Sequence, residues 1–168
     1  MPLPNDLLEQ AQFLVQRDQR RPRQASLRRA VSTSYYAVFH LLSASSASQA
    51  SPAAPLGLSN RIQRSLEHGV MKQAAKSFES GHPPDHISPF LSVPLPAALV
   101  SVARGFVRLQ DERHKADYDV AIRFDRAAAQ DAVALATQLF ADWDAIKNTD
   151  DAHVFLASLM FWKLWSKQ

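Results

Sequence analysis

Cysteine is absent from the 168 residues, and glycine occurs only four times. Without cysteine there is no disulfide framework, no thiol nucleophile and no cysteine-ligated zinc or iron–sulfur site. That absence fits a reducing compartment, and a cytoplasmic location is expected. No apolar run reaches the roughly 20 residues that a bilayer-spanning helix needs. The opening residues, Met1-Pro2-Leu3-Pro4-Asn5-Asp6, lack the basic and apolar regions of a signal peptide. No phosphate-cradling glycine loop, zincin motif or nucleophile elbow occurs. His82 and His86 flank Pro83-Pro84-Asp85 at a metal-compatible spacing, but no further ligand is evident. A surface loop is the expectation there, with no metal and no cofactor.

Alanine, leucine and glutamine are common, which favours helix, and no run alternates in the manner of a strand. Helix one is predicted from Asp6 to about Gln19, ending at the Arg20-Arg21-Pro22-Arg23 break. Helix two runs from Gln24–Ser26 to about Ser43, with Leu27, Val31, Tyr35, Val38 and Leu42 as its core stripe. The Ser/Ala/Pro tract from Ser43 to Pro55 reads as a mobile loop. Asn60 caps a third helix through Ile62, Leu66, Val70, Ala74 and Phe78. An irregular connection through Gly81–His86, Pro89 and Pro94 leads to a fourth helix opening at Pro94–Pro96. Asp125 caps a fifth, which reaches Ile146, and Thr149-Asp150 starts a last one. Residues 154–165 of that helix are apolar almost all round, so they want burial against the bundle or a partner. Attachment to a membrane surface, with Lys163 and Lys167 at headgroups, is the less favoured alternative. The expected fold is all-α: an up-and-down four- or five-helix bundle at 1–148 with an extra apolar C-terminal helix at 149–168.

Net charge is only +3, but the basic residues are concentrated. Arg17, Arg20, Arg21, Arg23, Arg28 and Arg29 crowd one short segment with Asp18 alone against them. Guanidinium groups present a planar fork of donors that suits phosphate, so Arg20, Arg21, Arg23 and Arg28 are candidate RNA contacts. The competing reading is a solvated turn between helices. On helix two, Arg29, Ser32, Tyr36 and His40 share a stripe at about 100° per residue. On helix four, Arg113 and Asp117 share one stripe, and His114 and Tyr118 the next. A buried ion needs a partner, so Arg113 and Asp117 are expected to bond Tyr36 or His40 across a helix pair.

The segment Arg28-Arg29-Ala30-Val31-Ser32-Thr33-Ser34-Tyr35-Tyr36-Ala37-Val38-Phe39-His40, followed by Leu109-Gln110 and by Arg113 with Ala116-Asp117-Tyr118-Asp119, resembles the HEPN superfamily of all-helical bacterial proteins. It is most similar to the branch with a Tyr-Tyr-Ala-x-Phe-His helix and an Arg-x-x-Ala-Asp-Tyr motif. The resemblance covers roughly residues 6 to 146. It implies a helical bundle that is commonly a homodimer and, in active members, cleaves RNA without metal. There an Arg holds the scissile phosphate, and a His four to six residues later moves a proton at the ribose 2′-oxygen.

Only Arg108 and His114 meet that spacing here. Leu109 follows Arg108 where the family carries a polar residue. On an unbroken helix the two side chains point about 120° apart, so they converge only if the helix bends or the site spans a dimer. Two functions follow from the resemblance and the arginines. One is an RNA-associated protein, as a ribonuclease of a toxin–antitoxin or defence system. The other is a non-catalytic helical module that binds itself or a partner such as a nucleotidyltransferase.

Overall fold

Two short loops, at residues 17–23 and 119–125, meet at one end of the molecule and fix how its longest helices are arranged. The computed structural model describes residues 2–18, 20–53 and 55–166. Among them are α1 (Leu3–Gln16), α2 (Gln24–Ala50), α3 (Leu56–Ser65), α4 (His68–Lys76), α5 (Ala97–Tyr118), α6 (Arg126–Ile146) and α7 (Asp150–Trp165). A single 3-10 turn lies at Ser88–Phe90, and there is no strand among the described residues.

Four of these helices form a closed ring: α1 on α2, α2 on α5, α5 on α6, and α6 back on α1. The chain directions follow from the bonds between them. Arg28 of α2 meets the end of α5 while Tyr35 packs on Phe106, so these two helices are antiparallel. Ser101 bonds Asp142 while Arg108 and Asp131 line one groove, so α5 and α6 are antiparallel too. The apolar stripes set this arrangement. Leu27, Val31, Tyr35, Val38 and Leu42 are all at most 1% exposed, as are Leu99, Val102, Phe106 and Leu109 on α5, where Phe106 packs on Tyr35. At about 25 cal/mol per Å², burying each such side chain stabilises by about 1.5–3 kcal/mol before entropy is counted. Gly105 lets α6 approach closely: a Cβ there would lie 2.6 Å from Leu139 Cδ2. Asp125 caps α6 by accepting from Ala128 N–H at 2.8 Å, and Thr149 caps α7 through Ala152 N–H at 3.3 Å.

Three local expectations are corrected. Helix one stops at Gln16 rather than near Gln19, and Gln19 itself lies outside the described residues. Helix two does not yield to a loop at Ser43 but continues to Ala50. There Ser43 and Ser45 hydroxyls donate to the carbonyls of Phe39 and Leu41, and Trp143 Nε1–H donates to Ser45 Oγ. The bonded Ser43 and Ser45 hydroxyls and packing against α6 override the weak helix preference of serine. The third helix is in fact two. Asn60 sits inside α3 instead of capping it, and the chain extends at Leu66 (φ −79°, ψ 122°) before α4 begins. Leu66 turns into the core at 8% exposure, whereas α3 buries no residue fully.

The last helix, α7, lies on α4 and on the C-terminal part of α2. Phe155 is fully buried, edge-on to Phe78 with ring centres 5.1 Å apart. Asp151 Oδ1 accepts from Ser92 N–H at 2.7 Å and so ties down the long connection before α5. Phe161 and Leu164 remain on the surface. No helix among the described residues is long and apolar enough to cross a membrane. Lys163 pairs with Glu67 at 2.6 Å, and Lys167 lies outside the described residues.

Candidate functional site

Arg113 reaches from α5 across to α2, where its Nη2 donates to Tyr36 Oη at 2.7 Å. Its Nε lies 2.8 Å from Asp117 Oδ2 on the next turn, but the N–H is not aligned for a hydrogen bond, so this pair is an electrostatic one. The guanidinium also lies over three rings, with centroid distances of 5.3 Å to Tyr36, 5.4 Å to Tyr118 and 5.9 Å to Tyr35. Desolvation works against its charge, but the Tyr36 bond and the nearby Tyr36, Asp117 and Tyr118 groups outweigh it and raise its pKa. A cation held by a phenol, a carboxylate and three ring faces is a structural lock between two helices.

His40 takes no part in that bond. Its imidazole lies beside Tyr36 and Phe39, with ring centres at 6.5 and 5.4 Å. The residue that joins the seam instead is His68, at the start of α4. It stacks on Phe39 at 4.0 Å, and its Nδ1 is 2.7 Å from Tyr35 Oη. Burial pushes the Tyr35 phenol far up, so it stays protonated and shares one hydrogen bond with Nδ1. The tautomer of His68 sets which of the two groups donates. Burial holds both His40 and His68 below the usual histidine pKa, and for His68 the nearby Arg113 charge and then His40 add to the effect. The two imidazoles line a cleft of about 470 Å³ with Asn60, Gln63 and Arg64. The sequence marks His68 only through its position next to Gly69, since its partner Tyr35 belongs to a stripe that otherwise reads as plain core.

The arginine-rich segment divides into two groups. Arg28 is a brace: Nη1 donates to Ala116 O at 2.9 Å, and Nη2 donates to Asp119 O at 2.9 Å and to Ile122 O. Its donors are thus spent on the end of α5 and the loop after it, as suits a cation at a helix C-terminus. Gln24 adds a two-way bond to the Phe124 backbone at 2.6 and 3.0 Å, and Arg126 reaches the Asp18 carbonyl. Arg23 stands 3.9 Å from Asp18 and is otherwise exposed. Arg17, Arg20, Arg21, Arg29 and Arg123 are exposed, and their side chains make no hydrogen bond or ion pair among the described residues. Arg29 therefore stands outside the Tyr36 lock. With Arg17, Arg28, Ala116 and Asp117 it lines a groove of about 410 Å³.

Arg108 and His114 are not brought together within one chain. The helix α5 runs unbroken from Ala97 to Tyr118. Arg108 lines grooves against α6 with Leu135 and Asp131, while His114 is exposed beside Tyr118 at 5.0 Å between ring centres. Tyr118 does not lock helices either. It is 64% exposed, and its ring contacts are to His114 and Arg113 of its own helix. In the loop, His82 is held by Ser80 at 3.0 Å and His86 lies near Trp162, and no cluster of three metal-ligating side chains occurs among the described residues.

No protein-family model, curated protein or solved structure matches this chain. Only the geometry of the site bears on its chemistry. The lock between α2 and α5 can position groups, the His40–His68 cleft offers two neutral imidazoles, and the loop end offers unspent guanidinium donors.

Proposed function

We propose that this chain is an RNA-associated bundle of the HEPN type, and that it holds RNA phosphates at the end formed by the two loops. One observation carries the reading. Arg17, Arg20, Arg21, Arg29 and Arg123 stand exposed there with free donors, while the neighbouring carboxylates are already engaged. Asp18 accepts from Ser26 and the Arg23 N–H, Asp117 faces Arg113, Asp119 accepts from Ala121 N–H, and Asp125 caps α6. Guanidinium forks with free donors, beside carboxylates whose oxygens already hold partners, favour a polyanion, through charge and through release of its counterions. The HEPN assignment draws support from Tyr36 and Arg113, the two motif residues that bond each other across the helix pair.

Cleavage, in a toxin–antitoxin or defence setting, requires a second copy in this reading, because Arg108 of one chain and His114 of the same chain face different ways. Titration of labelled structured RNA across a salt series tests the binding. Each of Arg17→Gln, Arg20→Gln, Arg21→Gln and Arg29→Gln removes one arginine–phosphate pair. The slope of log affinity against log salt should become shallower by about one in each variant. No binding at low salt would sink the reading. Incubation in EDTA with the native protein, Arg108→Ala and His114→Ala tests cleavage, and identical products from all three would remove that pair from any reaction.

A second reading rests on a different surface. Phe90, Val93, Phe161 and Leu164 are exposed around α7 and the connection before α5. A non-catalytic module that pairs with itself or with a protein such as a nucleotidyltransferase would use such a face. A stable monomer by light scattering, with no protein partner in a pull-down and with RNA bound, would leave only the first reading.

A further inference from the structure

An aromatic ring left on the surface in a motif whose other members are engaged asks for an explanation. Tyr118 ends α5 with 64% of its surface exposed, and its hydroxyl bonds nothing among the described residues. Among the described residues its ring and cation contacts are to two side chains, both basic or titratable: the Arg113 guanidinium at 5.4 Å and the His114 imidazole at 5.0 Å. Neither neighbour buries it, so its packing contributes little to the fold. The residues just before it in the same helical turn, Ala116 and Asp117, form one wall of the groove lined by Arg17 and Arg29. Cations for a phosphate chain thus line a groove whose α5 wall ends one residue before the exposed Tyr118 ring.

We infer that Tyr118 is a stacking platform for an unpaired base, and that the ligand of this end of the molecule is single-stranded RNA rather than a duplex. The inference rests on the RNA-binding reading and narrows it. A duplex keeps its bases stacked on one another and offers an exposed ring nothing but phosphate and sugar. A single strand can place a base on Tyr118 while its backbone follows the Arg17–Arg29 groove, the combination that single-strand binders use. Arg113 strengthens the platform from its side of the ring. A guanidinium over the phenol draws electron density from it and favours stacking with an electron-rich base. Arg113 is held in that position by Tyr36, so the lock between α2 and α5 also sets the platform.

The test compares labelled single-stranded RNA, the same sequence annealed to its complement, and single-stranded DNA of that sequence, each titrated over one salt series. Single-stranded RNA should bind at least tenfold more tightly than the duplex. Tyr118→Ala should weaken it about fivefold to a hundredfold, leave the salt slope unchanged and leave duplex binding as it was. Tyr118→Phe should retain the affinity, because stacking needs the ring and not the hydroxyl. Circular dichroism checks that the exposed substitution leaves the fold intact. Equal affinity for both RNA forms, or no effect of Tyr118→Ala on the single strand, overturns the platform while steep salt dependence keeps the phosphate reading. Absence of any RNA binding overturns both. DNA bound as tightly as RNA keeps the platform and overturns the assignment to RNA.

Discussion

Arg113 shows how one side chain can join the two halves of a motif that lie 77 residues apart. Its side chain is only 15% exposed, so losing its partner leaves a charge in a poor environment. Arg113→Gln and Tyr36→Phe should each lower the free energy of unfolding, and a double-mutant cycle in urea should return a coupling of about 1–2 kcal/mol. Coupling near zero would mean that the bond does not hold the helices together. A second prediction at this scale concerns pH. His40 and His68 have folded-state pKa values below the ordinary value of about 6.5, through burial first and, for His68, through the Arg113 charge. As pH falls, the unfolded chain therefore takes up protons before the folded one does. Stability should be full above about pH 7 and decline as pH drops through 6.5 towards the depressed values. The Asp18 carboxyl, held low by its bonds to Ser26 and the Arg23 backbone, affects stability only at much more acid pH. Urea midpoints at about pH 7.5 and 5.5, on either side of the ordinary histidine value, check this. The difference should shrink when both histidines are glutamine. A midpoint independent of pH would refute it.

At the scale of the element, the sequence is most legible where one face of a helix is buried throughout. The stripe from Leu27 to Leu42 and the cap at Asp125 are readable because a 3.6-residue period and a side-chain acceptor are local signals. The same reasoning fails where distant contacts decide. Ser43 to Ala50 looks like a loop by composition, yet Trp143 and His153 from other helices bond its side chains and keep it helical. The run from Ile62 to Phe78 keeps a helical period across the Leu66 break, so periodicity alone cannot show that α3 and α4 are separate. The candidate site divides in the same way. The Arg113–Tyr36 bond follows from stripes on two helices, whereas His68 stays hidden because its Nδ1 faces Tyr35 across that break. Arg28 escapes a sequence reading for a related reason. Charge density along the chain does not reveal which arginine spends its donors on backbone carbonyls.

For the whole molecule, the two loop ends act as one body, because Gln24, Arg28 and Arg126 each bond backbone in the other loop or the turn beside it. The exposed arginines and the Tyr118 ring therefore rest on a shared frame instead of on two independent loops. α2 carries that frame at its start and supports α7 near its end, with about 40 Å of helix in between.

The Arg28 brace has a kinetic consequence. A protease must draw several residues of extended chain into its cleft, so it cuts a folded protein only as fast as the segment opens locally. Arg123 is exposed and is a chemically good trypsin site, but the carbonyls of Asp119 and Ile122 are gripped by one guanidinium and both backbone groups of Phe124 by Gln24. Trypsin should therefore spare the bond after Arg123 in the native protein and cut it readily in Arg28→Met, as mass spectrometry of early digests would show. Equal rates in both would mean that the grip does not govern local opening.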